Sequence, residues 1–163
     1  MVAEPTSMDL ESMSLRLERF IKASPERVFD AWTKPELMAK WFGPSDDYPF
    51  ISAHADTRVG GSYRFELGSP DGSRHVCFGV YRAVDRPTLL SMTWAWESPV
   101  WKGRESHVTI EFKAEGEGTR VIVLHESLLD EPCLKDHGEG WNGSLDRLEK
   151  LGPELASADE APR

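Results

Sequence analysis

The stretch HGEGWNGSLDRLEKL, His137 to Leu151, decides how the rest of the chain must fold. On a helical projection His137, Trp141, Leu145 and Leu148 fall at i, i+4, i+8 and i+11, which is one face. Leu134 extends that face if the helix starts near Asp130, and Gly152-Pro153 reads as its stop. Yet the first half carries Gly138, Gly140 and Gly143 around a large tryptophan. Glycine inside a helix costs about 1 kcal/mol relative to alanine. Three of them imply that a neighbour needs backbone clearance there, or that the segment interdigitates small against large as an ordinary core does.

Upstream, the sequence supplies an apolar surface for this helix to cover. Ser14–Lys22 sets Leu15, Leu17 and later Phe20 against charges, as a half-buried strand does. Ser24 and Pro25 then open a helix with Val28, Phe29 and Trp32 as its apolar stripe. Thr33 and Glu36 have capping-box spacing for a second short helix carrying Leu37, Met38 and Trp41. After GPSDD comes a meander of about six antiparallel strands separated by turns such as PDGS and GEG. Its inward rows read Tyr63-Phe65-Leu67, Leu90-Met92-Trp94-Trp96, Val108-Ile110-Phe112 and Val121-Val123-His125. A sheet with one apolar face must bury it, and the C-terminal helix is the long element available. The fold class is α+β.

Composition narrows the partners. A formal net charge of −9 with no basic stripe argues against nucleic acid and against anionic membrane surfaces. Apolar runs are too short to span a bilayer, and MVAEPTSMDLESM lacks the basic and apolar regions of a signal peptide. With Cys77 and Cys133 read as reduced thiols, the expectation is a cytoplasmic protein without membrane insertion. Residues 1–13 and 153–163 read as tails flanking one domain, 14–152. Four of the six tryptophans cluster in MTWAWESPVW and GW.

The ordered set ASPERVFDAWTKPELMAKWF, VGGSYRFEL, FGVYRAV, TWAWE, GTRVIVLHE and HGEGWNGSLDRLEKL resembles the START-like or SRPBCC superfamily. Within it the chain is similar to the domain named for activator of heat-shock-protein-90 ATPase homologues. The resemblance runs from Leu15 to Leu151 and implies a helix-grip fold. In that fold a curved antiparallel sheet of about six to seven strands wraps a long C-terminal helix, with two short helices after the first strand. It also implies a cavity for apolar ligands between sheet and helix, with Gly138 and Gly140 admitting the sheet rim or a ligand close to the helix.

On that scaffold the ligand-facing candidates are Tyr63, Phe65, Tyr81, Met92, Trp94, Trp96, His125, His137, Trp141 and Leu145, with Trp41 and Phe42 at the mouth. His125 either orients a ligand and transfers a proton, with Tyr81 as a second candidate, or is a core histidine bonded to its surroundings. His137 either meets His125 across the cavity or stands at a helix end in solvent. Cys133 and His137 are four apart, but two ligands do not make a metal site and no others are spaced to join them. No nucleophile elbow, phosphate loop or dinucleotide fingerprint calls for a cofactor. Val59–Ser62 is a strand-entry turn, since no helix follows it.

Three functions follow. The first is binding of a small hydrophobic molecule, aromatic or lipid-like. The second, which the superfamily permits, is a polyketide cyclase or aromatase using His125 or Tyr81. The third is a co-chaperone of heat-shock protein 90, as the family name implies, although this chain carries no second domain to engage a chaperone. An open sheet edge also offers a homodimer contact.

Overall fold

The computed structural model describes residues 6–98 and 105–159. Its elements run β1 (Thr6–Asp9), β2 (Ser14–Ile21), α1 (Pro25–Thr33), α2 (Pro35–Met38), β3 (Phe50–Ala55), β4 (Ser62–Gly68), β5 (Arg74–Asp85), β6 (Leu89–Glu97), β7 (Ser106–Glu115), β8 (Gly118–Glu126) and α3 (Glu131–Asp159). All eight strands form one antiparallel sheet in the order β1-β2-β8-β7-β6-β5-β4-β3. Of the SPVWKG loop, residues 99–103, Trp101 among them, lie outside the described residues.

The sheet curves where its register slips. One irregularity falls between Phe50 and Ser52 on β3, another between Tyr81 and Ala83 on β5. Such bulges bend the bulged strand and increase its local twist. The inward rows then close on one another, and Tyr63, Phe65, Leu90, Met92, Trp94, Val108, Ile110, Phe112, Val121, Val123 and His125 are all buried. Strict alternation made these rows readable from sequence. Helix α3 lies across the concave face with Leu134, Trp141, Leu145 and Leu148 buried against it. This is the helix-grip arrangement.

Local details depart from the sequence-based expectation for physical reasons. Phe20 does not share the core face of β2; period-two alternation gives that face to Leu15, Leu17, Arg19 and Ile21. Arg19 fills the polar slot by reaching α3, where Asn142 Oδ1 accepts at 2.8 Å and Asp146 Oδ1 at 2.5 Å. Phe20 stands on the opposite face under the Arg120 guanidinium, 5.8 Å from its ring centroid. Ser24 caps α1 by accepting from the Arg27 N–H at 3.3 Å. Thr33 does not cap α2: its hydroxyl donates back to Phe29 O at 3.2 Å, and α2 starts at Pro35 with no side-chain cap.

The tails expected at both ends are partly built. Thr6–Asp9 pairs with β2 as an eighth, edge strand, and α3 runs through Pro153 to Asp159. A helix-interior proline forfeits a hydrogen bond and clashes with the preceding turn, at about 3 kcal/mol. Tertiary contacts offset this. Leu155 is buried, its carbonyl accepts from Arg27 Nε at 3.3 Å, and Lys40 pairs with Glu154.

The glycines of α3 divide by what they face. At Gly143 a Cβ would lie 2.2 Å from Pro44 O, so only glycine lets the loop after α2 approach the helix. The next residue completes that docking, with Ser144 Oγ accepting the Gly43 N–H at 3.1 Å. At Gly138, expected to give close approach, a Cβ would meet Leu15 only at an ordinary 3.8 Å, and a Cβ at Gly140 would meet nothing within 4 Å. Gly143→Ala is therefore expected to destabilise the fold by about 1–3 kcal/mol through overpacking. Gly140→Ala should instead stabilise it by up to about 1 kcal/mol through helix propensity. Urea unfolding of the two variants beside the parent checks both signs.

Candidate functional site

Between the first half of α3, the loop after α2 and the ends of β4 and β6 lies a cavity of about 260 Å³. Trp94 and Trp96 of β6 and Trp141 of α3 wall it, joined by Phe42 and Tyr48 of the loop and Leu67 of β4. From α3, Cys133, Asp136, His137, Glu139, Gly140 and Ser144 complete the lining. Alternation puts Trp94 and Trp96 on the same strand face, and helical spacing puts Cys133, His137, Gly140 and Ser144 in one stripe.

The aromatic wall continues inward as a solid stack. Trp141 lies 5.1 Å from Trp94 and 5.7 Å from Trp32, centroid to centroid. Trp94 meets Trp96 edge-on at 6.0 Å, and Phe42 packs against Phe65 at 5.4 Å. Five of the residues expected to face a ligand line this cavity: Phe42, Trp94, Trp96, His137 and Trp141. Trp41, Tyr63, Phe65, Tyr81, Met92, His125 and Leu145 are instead buried behind the wall and do not line the cavity. For the strand residues among them, alternation gave the side of the sheet correctly but not the depth. Trp41 is held inward by its indole N–H, which donates to Ala31 O at 2.8 Å.

His125 belongs to a directed chain of hydrogen bonds. An indole N–H can only donate, so Trp141 Nε1, 3.0 Å from His125 Nδ1, makes that nitrogen the acceptor. The imidazole proton then sits on Nε2 and is donated to Ser106 Oγ at 2.7 Å. Ser106 in turn donates to Trp94 O at 3.1 Å. Both nitrogens of His125 are thus occupied by protein. Burial, and then the neighbouring His137 and His107, hold its pKa well below the ordinary value.

His137 follows the same logic at the cavity wall. Trp96 Nε1 donates to its Nε2 at 3.1 Å, so the proton on Nδ1 goes to Cys133 O at 2.9 Å. Its ring meets that of His125 edge-on at 4.8 Å, in direct contact rather than across an open space. Burial lowers its pKa as well. The Cys133 thiol, 3.5 Å from His137 Nδ1, is pushed up by burial, and the Cys77 thiol further up. Among the described residues no three His, Cys, Asp or Glu side chains converge as a metal site. Tyr81, whose pKa is pushed up to about 12 by burial, has its hydroxyl enclosed away from the cavity.

Sequence reasoning missed Tyr48, Leu67, Asp136, Glu139, Ser144 and Ser106. The stripe Cys133-His137-Gly140-Ser144 was legible by helical spacing, one residue off the buried stripe. Tyr48 was not, because nothing in GPSDDY fixes where an irregular loop places a ring.

A sheet gripping one long helix over an aromatic cavity defines the START-like class. Residues 22–152 match the family model described as Activator of Hsp90 ATPase homolog 1-like protein, and the chain belongs to that family. Solved structures agree. The AHSA1 protein of Silicibacter pomeroyi is 29% identical with a TM-score of 0.74, covering 86% of this chain and 99% of that one. A Chromobacterium violaceum protein is 27% identical with a TM-score of 0.73, covering 85% and 96%. A Rhodobacter sphaeroides protein, 18% identical over 92% and 97%, shares the fold with a TM-score of 0.77. No curated protein matches the chain. No helix among the described residues is long and apolar enough to cross a membrane.

Protonating His125 would set a second N–H against the Trp141 indole. The unfolded chain takes up that proton near the ordinary value of 6.5, the folded chain only lower. Stability is therefore full above pH 6.5 and falls as the pH drops below it, by up to about 1.4 kcal/mol per pH unit for each such histidine. Urea unfolding between pH 7.5 and 5 should show this slope, and His125→Gln should reduce it by one proton's share. An unchanged slope in the variant would place the titration elsewhere.

Proposed function

We propose that this protein binds a small ring-bearing apolar molecule in the cavity between α3 and the ends of β4 and β6. The observation that carries the reading is the 260 Å³ space walled by Trp94, Trp96 and Trp141. Three indoles present large rigid apolar faces at low conformational cost. The two whose N–H groups are bonded to histidines, Trp96 and Trp141, cannot swing inward to close the space without breaking those bonds.

Size refines the ligand. A cavity of about 150 Å³ lined by apolar side chains accommodates benzene, and drug-sized ligands occupy about 300–1,000 Å³. The space here suits one or two rings with short substituents, not an enclosed acyl chain. Family membership supports the reading, since START-like folds commonly enclose apolar ligands. The cyclase alternative gains nothing from His125 or Tyr81, neither of which reaches the cavity. The chaperone reading has no observation of its own beyond the family description.

Native mass spectrometry of freshly purified protein, followed by thermal unfolding with a panel of one- and two-ring compounds, tests this. A ligand at about 100 times its Kd should add about 2.7 kcal/mol of stability. Gly140→Phe projects a ring into the mouth, where a Cβ meets nothing within 4 Å. The variant should unfold at or above the parent's temperature, since phenylalanine favours a helix over glycine, and lose the ligand-dependent gain. A gain that survives it, or no gain from any ring compound, would overturn the reading.

A further inference from the structure

The cavity is charged on one side only. Asp136 and Glu139 line it from α3, and both are exposed at its mouth. Among the described residues neither carboxylate makes an ion pair or a side-chain hydrogen bond. No lysine or arginine among the described residues lines the cavity. Arg147, one turn beyond Ser144, is committed elsewhere: its guanidinium reaches Gly43 O at 3.4 Å and Asp46 Oδ1 at 3.4 Å. Lys135 is exposed but not part of the lining.

The one imidazole of the wall does not offset this charge. His137 offers a ligand neither a donor nor an acceptor, because Trp96 and Cys133 O occupy its two nitrogens. What remains is the aromatic faces, the Trp94 indole N–H, buried without a protein partner, the Tyr48, Ser144 and Cys133 side chains, and two carboxylates that are the only charged groups in the lining among the described residues. The π-face of an indole carries negative charge density and attracts a cation within about 6 Å of the ring centroid. Carboxylates beside that face strengthen the attraction and repel an anion. The chain's net charge of −9 adds a field of the same sign.

We infer that the ligand is an organic cation: a ring-bearing amine or quaternary ammonium, its ring among Trp94, Trp96 and Trp141 and its charge toward Asp136 and Glu139. This rests on the ring-binding reading above and deepens it. The same arrangement excludes aromatic carboxylates and fatty acids, which a neutral apolar cavity would admit.

Three probes of matched shape separate the terms. Benzyltrimethylammonium and neopentylbenzene differ only by nitrogen for carbon, and so by charge; 3-phenylpropionate carries the opposite charge. Titration by tryptophan fluorescence, with calorimetry as a check, should give the cation an affinity about tenfold or more above both others. The preference should shrink with added salt, since the carboxylates are exposed. In the double variant Asp136→Asn, Glu139→Gln the cation should weaken toward the neutral probe while neopentylbenzene binds as before. Equal affinity for the cation and the neutral probe, or tighter binding of the carboxylate, overturns the inference and leaves ring binding standing. Binding of none of the three overturns both.

Discussion

The hydrogen bond from the Trp141 indole to His125 is the contact on which the rest of this structure depends. It joins the one long helix to the centre of the sheet, entirely out of water. A buried imidazole left without a partner costs about 1–3 kcal/mol, so the bond penalises any other helix position. Sliding α3 by one residue would turn Trp141 away by about 100° and orphan both groups. Apolar packing alone tolerates such shifts far better than a buried donor–acceptor pair does. His125 fixes its own tautomer through this bond, and the proton it retains secures Ser106 on the neighbouring strand β7. Ser106 then binds the carbonyl of Trp94, so one directed chain ties helix, β8, β7 and β6.

The same chain explains how an open space persists beside a dense core. Large rings normally close voids, because every unfilled volume forfeits contacts. Here Trp141 and Trp96 are each held by the N–H edge, one on His125 and the other on His137. Trp94 is wedged between them at 5.1 and 6.0 Å. With the edges anchored and the ring backs packed against Trp32 and Phe42, the remaining faces stay apart. On the far side, Gly143 and Ser144 clamp the loop that carries Phe42 and Tyr48. His125, a catalytic candidate in sequence, and His137 therefore act as structural acceptors, and burial favours the neutral form that accepts.

What the sequence disclosed follows from this division. Period-two alternation placed every inward residue of β4, β6, β7 and β8 correctly, because a one-residue slip would turn each row to water. It erred on Phe20, where Arg19 occupies an inward slot only because α3 brings Asn142 and Asp146 to meet it. The continuation of α3 past Pro153 was illegible for a similar reason: the partners that offset the proline come from Arg27 and Lys40, more than a hundred residues away. The family was legible because its motifs are these same buried rows. Cavity depth was not, since it depends on which of two adjacent indoles is drawn inward. The glycines were seen as a signal but assigned to the wrong neighbours, and only the position of Pro44 singles out Gly143.

Helix α3 carries two jobs on two adjacent stripes. Leu134, Gly138, Trp141, Leu145 and Leu148 face the sheet; Cys133, His137, Gly140 and Ser144 run beside them, one residue earlier at each turn, along the cavity. The first stripe is fixed by burial and by the Trp141 bond, so it tolerates little change. On the second, Gly140 and its neighbours Asp136 and Glu139 touch nothing that the fold requires. A chain of this design is free to alter the charge and width of its cavity through those positions while the gripped helix stays in register. Solved structures with 18–29% identity retain the fold at TM-scores of 0.73–0.77. Likeness of fold at that level constrains the first stripe and says little about the second. The chemistry of the proposed ligand is therefore set at the mouth of this cavity, by the side chains that the fold leaves unassigned.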